Sequence, residues 1–200
     1  GNAVPNPNVS AADPSNGHHL QGGHWSDAAG NYIRDLAAGA WRLDAWKDGY
    51  VRVGATWEFT ITQGVTLTRD ITLTRLDAMI TGTVRDTGGA PIPGADVGAG
   101  NPNWGTGTQT DASGVYTLTV YGSTWWVWVS KDGYAGTGRN ITVADGGTRG
   151  GEDFALQALD ATIRGTVRDT DHNPLSGARV DVGTSGWGTS VYADASGNYT

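Results

Sequence analysis

Apolar and polar residues alternate in short runs along this chain, and Gly, Asp and Pro interrupt the runs at the intervals usual for all-β sandwiches. A strand sends successive side chains to opposite faces, so strict alternation marks a strand with one buried face. The pattern predicts strands near 79–86, 94–100, 104–110, 114–120, 124–131, 135–144 and 152–158. Turn chemistry separates them: Thr87-Gly88-Gly89, Pro91 to Pro93, Ala112-Ser113-Gly114, Asp132-Gly133 and Asp145-Gly146-Gly147 supply positive or fixed φ. No segment carries a convincing helical period, so the fold class is all-β.

The same phrases return along the chain, and a fixed repeat decides architecture before any single motif does. Residues 80–97 read ITGTVRDTGGAPIPGADV and residues 163–180 read IRGTVRDTDHNPLSGARV, a displacement of 83 positions. SDAAGNY at 26–32, TDASGVY at 110–116 and ADASGNY at 193–199 follow the same spacing, and KDGY stands at 47–50 and at 131–134. LTRDITLTRLDA at 67–78 faces GGEDFALQALDA at 150–161. These matches define one complete module at 78–160. A first module, 1–77, lacks its opening strand, because Gly1 to Pro5 align with Gly89 to Pro93; residues 161–200 are the first half of a third, Thr200 aligning with Thr117. The expectation is a section of a longer tandem array, its cut modules completed by flanking sequence of the same polypeptide or by a strand from a neighbouring chain.

Composition narrows the function classes. The net charge of −7 argues against nucleic acid, whose backbone needs clustered Lys and Arg. With no cysteine, disulfides, thiol catalysis and Cys-ligated metal are excluded. No apolar run is long enough to insert into a membrane. Thirty-two glycines punctuate the strands, while nine Trp and seven Tyr supply the bulk a core needs.

The order GTVRD, PIPGADV, TDASGVYTL and WWVWVSKDGY, at 82–86, 91–97, 110–118 and 125–134, resembles the carboxypeptidase regulatory-like domain. That resemblance implies tandem transthyretin-like Greek-key β-sandwiches of seven strands, repeating about every 83 residues, in a bacterial or archaeal surface or secreted protein. In that family the fold also serves as an accessory to zinc carboxypeptidases, whereas no peptidase domain accompanies these repeats. One departure concerns the core: the apolar place of Leu118 is Arg34 in the first module.

Catalytic and cofactor chemistry is not expected. Asp27, Asp111 and Asp194 recur ahead of Ala-Ala-Gly or Ala-Ser-Gly, where an Asp side chain bonds turn amides. His18, His19 and His24 cluster in one loop with no counterpart elsewhere, so a solvated loop is expected rather than a metal site. Asp169 and Asp171 open like a calcium loop, but the Gly and Glu that would complete it are missing. Lys47 and Lys131 both lie in KDGY turns, which does not suit an internal isopeptide bond. Asn8, Asn140 and Asn198 head candidate N-glycosylation sequons.

The tryptophans carry the sharper expectation. Trp125, Val127 and Val129 share one face of their strand; Trp126, Trp128 and Ser130 share the other. In the first module the aligned faces are Trp41, Leu43, Ala45 and Arg42, Asp44, Trp46, and charges belong outside. Trp41 and Trp125 are therefore expected in cores, with Trp46, Trp126 and Trp128 outward as contacts for a sugar or a protein partner, or else covered by a neighbouring module. The leading functional reading is a non-enzymatic structural array of an extracellular filament, stalk or adhesin shaft, whose partners are neighbouring repeats or identical subunits. Carbohydrate-binding modules and the accessory region of a secreted hydrolase are the alternatives.

Overall fold

A computed structural model of the chain describes residues 4, 6–12, 24–54, 57–183 and 188–200. All of its regular elements are strands. The first six are β1 (Asn8–Ala12), β2 (His24–Trp25), β3 (Gly39–Trp46), β4 (Tyr50–Arg52), β5 (Trp57–Ile61) and β6 (Leu73–Arg75). Nine follow: β7 (Ala78–Asp86), β8 (Asp96–Asn101), β9 (Trp104–Gln109), β10 (Val115–Val120), β11 (Ser123–Ser130), β12 (Tyr134–Ala135), β13 (Thr137–Val143), β14 (Thr148–Arg149) and β15 (Phe154–Ala158). The last four are β16 (Gly165–Thr166), β17 (Arg179–Gly183), β18 (Gly188–Tyr192) and β19 (Asn198–Tyr199).

Between Ala78 and Ala158 two sheets enclose one core. The first runs β10-β7-β15-β12, with β14 also against β7, and the second runs β13-β11-β8-β9. Alternation puts Ile80, Val84, Leu118, Val120 and Leu156 of the first sheet against Val97, Trp125, Val127 and Val129 of the second, all nearly inaccessible. Trp125 fills the centre. Its ring stands edge-on to Tyr121 at 4.8 Å and to Trp104 at 5.8 Å, and its Nε1 donates to the Tyr121 carbonyl at 3.0 Å, so the indole's one polar atom is satisfied inside the core. Tyr116 reaches across to donate its hydroxyl to the Glu152 carbonyl at 2.6 Å, and burial pushes the pKa of that hydroxyl far up. Gly114 closes the DASG turn at φ +76°, and a Cβ there would stand 2.5 Å from the Val84 carbonyl oxygen; Gly197 repeats both features.

Seven strands were expected here and nine are present. The predicted strand 135–144 is divided because the chain changes sheets within it: β12 pairs with β15, and β13, beginning beyond Gly136, pairs with β11. The extra β14 lies parallel to the start of β7, Thr148 opposite Met79.

The preceding strands reproduce one sheet and not the other. Order β2-β1-β3-β5 matches β9-β8-β11-β13 in register, Asn8 standing opposite Trp25 and Trp46 as Asp96 stands opposite Gln109 and Ser130. Among the described residues the other sheet is the pair β4-β6 alone, and residues 31–37, which align with strand β10 and Tyr121, form no strand. In consequence Trp41 is only half-buried, which corrects the expectation of a core residue. Its Nε1 still donates to the Ala37 carbonyl at 2.9 Å, the same local bond as in Trp125, but the layer that would cover the ring is thin. Arg34, in the apolar place of Leu118, is half-buried. Beyond Ala158, β16-β19 and β17-β18 form two separate pairs, and Val182 and Tyr192 are exposed.

The joint before Ala78 is short. Only Leu76 and Asp77 separate β6 from β7. Val51, Val53 and Leu76 pack against the core that follows, and Asp77 accepts a hydrogen bond from the Gly146 amide at 3.0 Å. The Leu76 amide donates to Gly49 at 2.7 Å, just as Leu159 donates to Gly133 at 2.8 Å.

Truncating Trp125 to Ala should destabilise the chain by about 3–5 kcal/mol as a large core deletion. Trp126→Ala, on the opposite face of the same strand, should cost about 1 kcal/mol or less. Urea unfolding followed by circular dichroism checks both, and equal costs would contradict the inward and outward assignment.

Candidate functional site

The site is built on β11. A strand whose inner side chains are Trp125, Val127 and Val129 presents Thr124, Trp126, Trp128 and Ser130 to solvent, and Trp126 is 50% and Trp128 41% exposed. What lies beneath these two rings is unusual for strand interiors. Across β8 and β9 the residues level with Trp128 are Gly98 and Gly107, and those level with Trp126 are Gly100 and Gly105; across β13, Trp128 faces Gly138.

The glycines are there because the rings occupy the space of their missing side chains. A Cβ on Gly98 would sit 2.1 Å from Cζ2 and 2.7 Å from Cη2 of Trp128, and one on Gly100 would be 3.4 Å from its Cζ3. Trp128 therefore lies down over the backbone of β8. Trp126 leans the other way, over β13, where a Cβ on Gly138 would be 2.9 Å from its Cζ2. Glycine weakens a strand and often marks a close approach by another group. Here the approaching groups are the indoles, packed on the strand backbones while about half of each remains in water.

Polar groups edge this surface. Asn140 stands opposite Trp126, the Thr124 and Thr142 hydroxyls share a hydrogen bond at 2.7 Å, and Gln109 donates to Asp96 at 2.8 Å. Asp96 is the one charged side chain among the outward positions of β8, β9, β11 and β13.

The equivalent face on β2-β1-β3-β5 differs. Ser10 and Ala12 replace the two glycines of β8, and Arg42 and Asp44 replace the indoles, Asp44 meeting Arg52 at 3.7 Å. Trp46 is exposed one row further along, where it and Trp25 flank Asn8. Sequence reasoning did not single out Trp25. Its place before SDAAGNY, where the central stretch has Gln109, was the signal that would have put it on the outer face.

The recurring aspartates serve turns. Asp27 accepts from the amides of Ala29 and Asn31, Asp111 from Ser113 and Val115, and Asp194 from Ser196 and Asn198, all at 2.8 to 2.9 Å. Asp169 makes the same turn with Asp171 and Asn173, its second oxygen taking the Asn173 side chain at 3.0 Å, so its own loop occupies both oxygens. Lys131 donates to the Gly94 carbonyl at 3.0 Å. Among the described residues no three His, Asp or Glu converge as a metal site would require. His18 and His19 lie outside the described residues, and of His24 only its backbone in β2 is described. Of the sequon residues, Asn140 and Asn198 are exposed, and Asn8 is half-buried between its two tryptophans.

Residues 79–157 match the carboxypeptidase regulatory-like domain. Among solved structures the chain is similar to the TIE protein of Bacillus anthracis (13% identity, 99% of this chain, 40% of that one, TM-score 0.37). It is also similar to a 3-chlorocatechol 1,2-dioxygenase from Rhodococcus opacus 1CP (12% identity, 41% of this chain, 60% of that one, TM-score 0.34). A streptococcal ancillary pilin aligns at 12% identity over all of this chain and 80% of its own length, with a TM-score of 0.37. The chain thus spans about two-fifths of the first of these proteins and three-fifths of the second. No curated protein matches it in sequence.

The carboxyls of Asp27 and Asp169 are held below the usual aspartate range chiefly by the side chains of Asn31 and Asn173, and that of Asp194 chiefly by the Asn198 amide. A carboxyl depressed in the folded state contributes its stability above the unfolded value, about 3.9, and loses it as pH falls through the folded value. Carboxyl NMR titration should therefore show these three protonating below the same residues in urea, with the turn amides shifting in step. Coincident titration in the two states would remove the turn bonds as their cause.

Proposed function

We propose that this chain, whose residues 79–157 carry a carboxypeptidase regulatory-like domain, is a non-enzymatic structural section of an extracellular or cell-surface filament, stalk or adhesin shaft of a bacterium or archaeon. It is divided into tandem modules at 1–77, 78–160 and 161–200. The observation that carries this reading is the joint at Leu76-Asp77. Two residues leave no slack for a flexible linker, Val51, Val53 and Leu76 pack against the next core, and the Asp77 carboxylate accepts from the Gly146 amide. Domains on independent linkers share few contacts and move by default; modules bonded in this way transmit orientation along the chain, as a shaft requires.

The repeated phrase Leu-Asp-Ala at 76–78 and 159–161 supports the same joint at the next boundary. Leu159 is 47% exposed there, on a stretch whose following strands form only isolated pairs. The thin β4-β6 layer of the first module is the second support: an open sheet edge over a partial core accepts another strand. In the array that strand comes from the neighbouring repeat of the same polypeptide or from an identical subunit, which makes those the partners of this chain.

NMR relaxation on the intact chain tests the joint. Residues 39–75 and 78–158 should tumble as one body, and Leu76→Asp should uncouple them while leaving the central sheets folded. In Asp77→Ala the Gly146 amide should exchange about tenfold faster, the usual effect of losing a hydrogen bond to a charged group. Independent tumbling in the unaltered chain would overturn the structural reading.

A further inference from the structure

The outward face of the β13-β11-β8-β9 sheet is chemically unlike the rest of the described surface. Its outward positions hold two indoles, five glycines at 98, 100, 105, 107 and 138, a set of short uncharged polar side chains and a single carboxylate. Cross-strand cover of a glycine by an aromatic ring stabilises a sheet, and Trp128 over a buried Gly98 serves that purpose. Trp126 over Gly138 serves it too, yet glycine cover does not account for the half of Trp126 and the 41% of Trp128 that remain in water. Nor does it account for the bare strip at Gly105 and Gly107, which no described side chain covers within 4 Å of the missing Cβ positions.

We propose that this face binds a neutral polysaccharide chain, with Trp126 and Trp128 stacking the C–H faces of its sugar rings and Asn140 bonding its hydroxyls. Three observations select that occupant. First, both rings are packed on the sheet with 41–50% of their surface exposed, and a pyranose presents a flat patch of C–H groups that an exposed indole covers while its hydroxyls remain free to bond at the edge. Second, the amide of Asn140, level with Trp126, makes no hydrogen bond to any described side chain and is exposed, so a donor and an acceptor stand beside the stacking surface. Third, the face carries Asp96 as its one charge, and that carboxylate is engaged by Gln109; together with a net charge of −7 this disfavours polyanions and offers nothing to pair with a strongly charged partner.

The two rings lean toward opposite neighbouring strands, so they are offset diagonally across the sheet. A ligand spanning both must extend over more than one sugar, which makes the site selective for a chain over a monosaccharide. The site belongs to the central module alone among the described residues, because Arg42 and Asp44 stand where the indoles would be in the first. Trp25 and Trp46 flank Asn8 in another row and lack the glycine bed. The inference does not depend on the array reading: a shaft with this face adheres to matrix glycan, and an isolated module with it binds the same ligand.

The test titrates the intact chain with cellohexaose, xylohexaose, mannohexaose and maltohexaose, reading tryptophan fluorescence and the indole N–H signals in NMR. At least one hexaose should give saturable shifts confined to Trp126 and Trp128, and the corresponding disaccharide should bind about tenfold more weakly or worse. Trp126→Ala and Trp128→Ala should each weaken binding about tenfold, and Trp46→Ala should leave it unchanged. Gly98→Val keeps both indoles but places side-chain atoms where Trp128 lies; it should weaken binding comparably in protein whose circular dichroism stays native. The proposal fails if none of the four hexaoses shifts either indole, or if binding survives removal of both rings. It fails equally if the chain self-associates through this face, relieved by the same substitutions and without sugar binding, which would assign the surface to a second copy.

Discussion

Strand β7 is hydrogen-bonded on both sides, antiparallel to β10 from Val115 to Val120 and parallel to β14 and β15. It therefore occupies the middle of its sheet, and each neighbouring strand needs it to satisfy a row of backbone groups. Where it is present, alternation along β10 and β11 closes into a core that leaves Trp125 no accessible surface. Residues 31–37 show the dependence from the other side. They align with β10 and Tyr121 and keep the motif Tyr, yet among the described residues no strand pairs with them as β7 pairs with β10; they form no strand, and the indole of Trp41 is left half-covered. The sheet that does not contain β7 is indifferent to this, and β2-β1-β3-β5 keeps its register.

Most of this fold was legible in the sequence because half-buried strands write a period of two. The faces of β11 were read from its counterpart β3, where Arg42 and Asp44 could only be outside, and the exposures of Trp126 and Trp128 agree with that reading. Other features leave no trace in a period of two. The change of sheet at Gly136 is a long-range pairing choice, and alternation runs through it undisturbed. Trp41 carries the same local pattern as Trp125, while its burial is decided by a strand distant in sequence. The glycine bed was hidden for a different reason: Gly98, Gly100 and Gly138 read as weak points in strands until the rings that occupy their missing side chains are placed over them.

The aspartate turns show how recurrence separates structure from chemistry. One carboxylate oxygen receives the amides two and four residues ahead, which fixes the turn with the residue three ahead at positive φ: Gly30, Gly114 and Gly197 in the recurring turns and His172 in the turn of Asp169. Because the bonding is local, it is the same at Asp27 and Asp194, where the described strands form smaller sheets. The indole surface is the opposite case: it depends on three neighbouring strands in register, and it is not repeated on the first of the aligned faces.

The parallel pairing of β7 with β15 has a mechanical consequence. The chain enters the two sheets of residues 78–158 at the start of β7 and leaves them at the end of β15, and these two strands lie side by side with Val84 opposite Phe154 and Asp86 opposite Leu156. A pull on the polypeptide from both directions drags the neighbouring strands past each other lengthwise. Their ladder is then loaded in shear, so its bonds share the force and must give way together, whereas a hairpin pulled at its open end would release them one at a time. Tension on this chain is carried by the central strand pair, and the solvent-facing indoles lie on the sheet that bears none of it directly.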